Sequence, residues 1–270
     1  MKFPLIVIVV LMETASASWA SQEAQAKYRS ISHEVYNAQA QDTWRPRTGK
    51  TEIERAINDL HDLVNATVQE ALSAPAPSSA SVEKAIDDLQ GDSQLLAGRL
   101  TDWERKNPFA DLSKVDGLPT LVTAFGILSG GYGIPNVSSH IQFYSQIAGS
   151  WKLQKEVGSE FNQRRFSVAR VRSASPNEVC YLAWGRVIGD TGTRLLVKLY
   201  GFDGWNVRTI SERSDLHGGT VNISDGQVIL KYDEAAQPGE LDYHRRITET
   251  VRVGAAGLER VGLSYSPEAQ

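Results

Sequence analysis

Two side chains of kinds that exchange protons stand two positions apart in this sequence, Asp215 and His217 in "SDLHGG". On a strand, residues so spaced share a face, and a carboxylate beside an imidazole is the smallest set that does general acid or base work. The same pair also steadies a turn, which is its commoner use. A secreted hydrolase working through carboxylates and His217 is the enzymatic reading these residues allow. A second stretch, "LSGGYGIPN" (128–136), sets Gly130, Gly131 and Gly133 around Tyr132. Glycines permit close approach of a ligand and unusual backbone angles, so these four residues are the candidate ligand-binding loop. The plainer account is a tight crossing into the next strand.

The remaining motifs carry less. "RTGKT" (47–51) has the end of a phosphate loop, but Trp44 stands where the first glycine belongs and no strand precedes it. "LHGG" (216–219) has the look of an oxyanion loop, yet the chain has no G-x-S-x-G to supply a nucleophile, and it reads as a hairpin turn. The histidines His33, His61, His140, His217 and His244 show no paired metal spacing, and the turn aspartates Asp190, Asp203 and Asp225 match no calcium loop. No metal and no cofactor are expected. Cys180, the one cysteine, lies in "VCYLAW" and reads as a small buried hydrophobe.

These residues must be positioned by a chain of 270 residues, long enough for one large or two small domains, with a net charge of −4 that argues against nucleic acid as a partner. Lys2, the apolar run Phe3–Met12 and the small residues of "TASASWA" form the pattern of a signal peptide over 1–20, cleaved after Ala17 or Ala20. The run is about half of the ~20 residues a membrane span needs, so no span is expected after cleavage, and the mature chain is expected to be secreted or periplasmic.

From 22 to 106 the apolar residues keep helical time. Ile53, Ile57, Leu60, Val64 and Ala71 make one stripe; Val82, Ile86, Leu89, Leu96, Leu100 and Trp103 make a second, with the spacing of a coiled-coil seam; Tyr28, Ile31, Val35 and Ala38 make a shorter one. "SAPAPSSA" breaks the helices, Ser81 is the expected cap of the next, and Gly91 is an expected kink. A helical hairpin or bundle follows, available for self-association or a protein partner of unknown identity. Residues 107–119 read as a linker, and from 120 to 270 the period becomes two, with Asp-Gly and Gly-Gly punctuation that marks an antiparallel meander. The fold class is thus α+β with segregated domains.

Within the β-rich part "IQFYSQIAGSWKLQKEV" (141–157) and "VKLYGFDGWNVRTISER" (197–213) repeat one pattern, Tyr144 matching Tyr200 and Trp151 matching Trp205. If Asp203-Gly204 forms a two-residue loop, Phe202 faces Trp205 and Tyr200 faces Val207, while Leu195, Val197 and Leu199 line the opposite face. A sheet apolar on both faces has to be covered on both. "YGFDGWNVRT" resembles the inner hairpin of β-propeller blades, which implies propeller-like blades; a sandwich meets the same demand. Both tryptophans are expected to be buried and to cost similar stability when truncated. The function expected is that of an exported, non-catalytic binding or interaction protein of the cell envelope, with carbohydrate or peptide as the ligand class of the β domain.

Overall fold

The computed structural model of the chain describes residues 22–35, 50–91, 108–128, 137–161, 166–189, 192–224, 226–234 and 245–266. The expected signal peptide, the loop Gly130, Gly131, Tyr132 and Gly133, and the seam residues Leu96, Leu100 and Trp103 lie outside the described residues. The chain divides into two compact units, 1–107 with 127–135 and 108–126 with 136–270, the first holding the described helices and the second nearly all of the described strand residues.

The helical unit holds α1 (22–35), α2 (Lys50–Leu72) and α3 (Ser79–Gln90). The buried stripe of α2 is Leu60, Val64, Val68 and Leu72, so its C-terminal half turns on Val68 and Leu72 rather than on Ala71. Val82, Ile86 and Leu89 are the buried face of α3, as their spacing requires. The cap of α3 is Ser78, not Ser81: the Ser78 side chain accepts from the Ser81 amide (3.1 Å), and Ser81 Oγ accepts from the Ser78 amide (2.9 Å), a reciprocal box that satisfies two amides at the helix start. Gly91 does not kink α3; it follows the last residue of the helix with φ +44°, a conformation glycine adopts without strain. Gln90 Nε2 donates to Tyr28 Oη (3.2 Å), and burial pushes the Tyr28 hydroxyl up to about 12 while that bond pulls it down. Among the described residues no helix is long and apolar enough to cross a membrane.

The β unit contains eleven described strands in two antiparallel meanders. The first sheet is four-stranded, in the order β1 (Phe109–Val115), β2 (Leu118–Leu128), β3 (Val137–Ile147), β4 (Ser150–Val157). Its first strand corrects the expected linker 107–119, most of which is β1 and the turn at Asp116 and Gly117, both at positive φ. The second sheet is seven-stranded: β5 (Phe166–Val171), β6 (Val179–Gly189), β7 (Gly192–Phe202), β8 (Val207–Ser224), β9 (Gln227–Asp233), β10 (Arg246–Gly254) and β11 (Gly257–Tyr265). Each strand pairs with its neighbour in the chain. Sheets of four and seven strands are a meander, as expected, and no propeller is seen among the described residues.

Alternation along β6 and β7 accounts for two cores. Val179, Tyr181, Ala183, Leu196, Tyr200 and Phe202 face the first sheet and meet Val122, Ala124, Ile141 and Phe143 there, a sandwich interface. Cys180, Leu182, Leu195, Val197 and Leu199 point the other way into a second core with Leu216, Leu230, Ile247 and Val251. Coverage on both faces is therefore met, and Cys180 is the buried small side chain the sequence indicated. The second core closes because the seven-stranded sheet curls. In a flat sheet β8 and β11 would lie about 14 Å apart at ~4.8 Å per strand, yet a Cβ on Gly257 of β11 would stand 3.0 Å from Ser211 Cβ of β8.

The bend is built into β8, whose first half pairs with β7 and whose second half pairs with β9. Between them, at His217/Thr220, the register slips. "LHGG" is thus a bulge inside a long strand and not a hairpin turn. Gly218 has φ +56°, and a Cβ there would collide with Asp233 Oδ2. Facing the second core, Glu249 of β10 is 2% exposed. It accepts from Arg213 Nη1 (3.2 Å, β8), Tyr232 Oη (2.9 Å, β9) and Arg260 Nε (2.9 Å, β11), so one carboxylate joins four successive strands.

Candidate functional site

His217 lies in the middle of β8, opposite Arg194 of β7 and Asp233 of β9. Asp215 lies on the same strand, and its side chain is outside the described residues, as are Asp190 and Asp225. Of the three turn aspartates Asp203 is described, and its carboxylate is taken up by its own turn.

That turn corrects the expected geometry of the repeat. Phe202 pairs with Val207 and Tyr200 with Thr209, so four residues, Asp203 to Asn206, form the connection, and Trp205 sits in it rather than on the return strand. Asp203 Oδ1 accepts from the amides of Trp205 (2.8 Å) and Asn206 (2.6 Å), and Oδ2 accepts from Asn206 Nδ2 (3.3 Å). Partial burial works to raise the Asp203 carboxyl, but these bonds, those of Asn206 foremost, hold it below the usual carboxylate range. Ser145 Oγ of β3 donates to Gly204 O, and Lys155 Nζ of β4 donates to Val207 O (3.1 Å), so both sheets fix the turn. Trp205 projects from this frame 55% exposed. Trp151 stands in β4 opposite Gln146 and is half-buried. The two tryptophans are not equivalent, and the expectation that both are buried in like hairpins fails at Trp205.

What the copies share is a bulge beside the matched tyrosine. In β3–β4 the register slips by one residue between Phe143 and Tyr144; in β7–β8 it slips between Leu199 and Tyr200. On the first hairpin the slip has a chemical consequence. The tight turn pairs Ile147 with Ser150 and would, if continued without a slip, pair Gln142 with Lys155. The observed partner is Glu156. Directly opposed residues share a face, so the bulge moves Glu156 from the sandwich side to the side that carries Ser138, His140, Gln142 and Tyr144.

There the five side chains form one hydrogen-bonded line. Tyr144 Oη donates to Gln142 Oε1 (2.6 Å), Gln142 Nε2 donates to Glu156 Oε2 (2.6 Å), and Glu156 Oε1 accepts from His140 Nδ1 (2.8 Å). His140 Nε2 then faces Ser138 Oγ at 2.9 Å. The directions are fixed from one end. Gln142 Oε1 takes a second donor, Thr123 Oγ1 (3.4 Å), so its amide nitrogen points at Glu156. An ionised Glu156 can only accept, which puts the proton of neutral His140 on Nδ1 and leaves Nε2 to accept from Ser138. Phe125 stacks on the imidazole, centroids 5.1 Å apart and planes 17° off parallel, which favours this ring orientation. Burial pushes the Tyr144 hydroxyl well above its ordinary range, with the Glu156 charge adding to the effect, so it acts as a donor throughout. Sequence reading missed this set; its one readable part is Ser138-Ser139-His140, which on a strand places Ser138 and His140 on one face.

No family model, curated protein or solved structure matches this chain.

The chemistry must then be judged from the geometry alone. Two features present themselves for use: an indole held out from a braced turn, and a hydroxyl aligned with an imidazole and a carboxylate. Glu249 is another matter, because its three donors consume it. Burial works to raise its carboxyl, but bonds from Arg260, Tyr232 and Arg213 together hold it below the usual range, which makes it a structural anion.

Proposed function

We propose that this protein is an exported binding or interaction protein of the cell envelope, secreted or periplasmic, whose β unit takes carbohydrate or peptide on the Trp205 turn. The observation that carries the reading is a tryptophan 55% exposed on a turn whose backbone is held at both ends. An exposed indole on a mobile loop brings an ordering cost for backbone and side chain when it stacks on a ligand; here the backbone is already held by Asp203, Ser145 and Lys155, so only the side chain has freedom to lose, and its exposed face can meet a sugar ring or an apolar peptide side chain. Binding there is non-catalytic, since the one carboxylate of the turn is engaged by Trp205 and Asn206. The helical unit supplies the self-association or partner contact in this reading, and the pattern of Lys2, Phe3–Met12 and "ASASWA" supports export.

The test is calorimetric titration of the mature chain with soluble glycans and short peptides, alongside Trp205→Ala. Loss of about tenfold or more in affinity for whichever ligand binds, with an unchanged melting curve, is the expected result. A ligand bound equally well by Trp205→Ala would remove the turn from the site. Mass spectrometry of the exported protein is expected to find a start at Ser18 or Ser21.

A further inference from the structure

We propose that Ser138 is an activated nucleophile and that the β unit carries, apart from the Trp205 turn, a serine-based acyl-transfer activity on carboxylic esters. A hydroxyl becomes a nucleophile when a base lies within hydrogen-bond reach and a third group orients that base. Ser138 Oγ is 2.9 Å from His140 Nε2, and His140 Nδ1 is 2.8 Å from Glu156 Oε1. Two further residues orient the orienter: Gln142 bonds the far oxygen of Glu156 at 2.6 Å, and Tyr144 bonds Gln142 at 2.6 Å. A purely structural network has no need to end on a half-buried serine with its base presented by the correct nitrogen. With Glu156 accepting at both oxygens and the imidazole neutral, His140 Nε2 is the acceptor that faces Ser138, and Phe125 stacks on the ring. Ser138 and His140 are the catalytic residues; Glu156, Gln142 and Tyr144 are positioning residues.

Ser138 Oγ attacks the ester carbonyl carbon while its proton passes to His140 Nε2. The tetrahedral adduct expels the alcohol, which takes that proton from Nε2, and an acyl ester remains on Ser138. Water attacks the acyl carbon, giving a proton to Nε2; the C–Oγ bond breaks, the acid leaves, and the proton returns to Oγ. Ester and water become acid and alcohol, and nothing is oxidised or reduced. Glu156 stays ionised and stabilises the imidazolium that forms twice. Esters are the class of choice because an alkoxide leaves more readily than an amine.

The test is covalent labelling of the folded full chain with a fluorophosphonate, read by intact mass and by peptide mapping, with hydrolysis of p-nitrophenyl esters measured in parallel. One adduct per chain on Ser138 is expected, absent from denatured protein. His140→Gln is expected to slow labelling and turnover about a hundredfold or more. Glu156→Gln, whose amide can donate to Nδ1 and so leave the proton on Nε2, is expected to lower kcat with KM little changed, a split that loss of packing alone would not give. An unmodified intact mass for the folded wild type after prolonged exposure overturns the proposal, and this arm needs no variant to fold. Labelling of Ser138 at one rate in wild type and in folded His140→Gln, checked by near-ultraviolet circular dichroism, overturns it as well.

Discussion

Phe143→Ala and Trp205→Ala together measure what the repeated hairpin is for. Phe143 is fully buried at the sandwich interface, its ring 5.3 Å from Phe202, 6.1 Å from Tyr181 and 6.2 Å from Tyr200, each at a steep interplanar angle. Truncating a buried phenylalanine costs roughly 3–5 kcal/mol. Edge-to-face pairs add about 0.5–1.5 kcal/mol beyond area, though not additively, so the upper part of the range, about 4–5 kcal/mol, applies here. Trp205 is larger but 55% exposed, and the bonds that fix its turn come from Asp203, Gly204 and Asn206 and from its own backbone amide, all kept by alanine. Its truncation is expected to stay within about 0.5 kcal/mol.

In a domain of this size each kcal/mol moves the melting temperature by about 2–4 °C. Phe143→Ala should therefore lower it by about 8–20 °C and Trp205→Ala by no more than about 2 °C. Thermal and urea unfolding of the mature chain, followed by far- and near-ultraviolet circular dichroism, separates these outcomes readily. If Trp205→Ala falls as far as Phe143→Ala, the indole is part of the core and both the exposure argument and the binding site built on it are wrong.

Two further perturbations probe the curled sheet. Glu249, held ionised below the usual carboxylate range, contributes stability that is present above the unfolded carboxylate pKa and is lost as pH falls through the lower folded value; Glu249→Gln should cost up to about 3 kcal/mol at neutral pH, with the gap to wild type narrowing on acidification, and a gap independent of pH in urea titrations refutes the assignment. Gly218→Ala and Gly226→Ala both place a side chain at positive φ, +56° and +74°, but only at Gly218 does the new Cβ run into a neighbour, Asp233 Oδ2; Gly218→Ala should therefore lower the urea midpoint clearly more, and equal midpoints would show that the bulge tolerates a side chain.

The division into helices and strands was legible because each period repeats often enough to be seen, and the two-faced character of β7 was legible because Leu195, Val197 and Leu199 alternate with Leu196, Tyr200 and Phe202. β1 was not legible. Two of its inward positions are Asp111 and Ser113, polar residues whose partners, Tyr181 Oη and Arg170 Nη1 for the first and Thr120 for the second, come from elsewhere in the fold. A strand whose inward polar groups find their partners only on other strands looks like a linker in sequence. Gly218 and Gly219 misled in the opposite sense, since a glycine pair marks a turn and a strand bulge alike, and only the pairing of β8 with two different neighbours distinguishes them.

The site is hidden for a related reason. Hairpin register is normally read outward from the turn, and from Ala148-Gly149 that procedure sends Lys155 to the face of Gln142 and buries Glu156 against the second sheet. One extra residue beside Tyr144 exchanges them, bringing the carboxylate to His140 and leaving Lys155 on the sandwich side, where its ammonium reaches Val207 O and braces the Trp205 turn. The same slip thus assembles the Ser138 line on one face and steadies the displayed tryptophan on the other. The motif is written twice, and its second copy slips at the matching tyrosine, but there Leu199 and Ser211 follow the slip in place of Phe143 and Lys155, and the strand continues into the bend of β8. The repeated element is a device for changing which face a strand presents. In the first hairpin it brings Glu156 to His140, and in the second it offsets the Tyr200/Thr209 pair from Leu199/Ser211, while the bend of β8 comes farther along the strand at His217/Thr220.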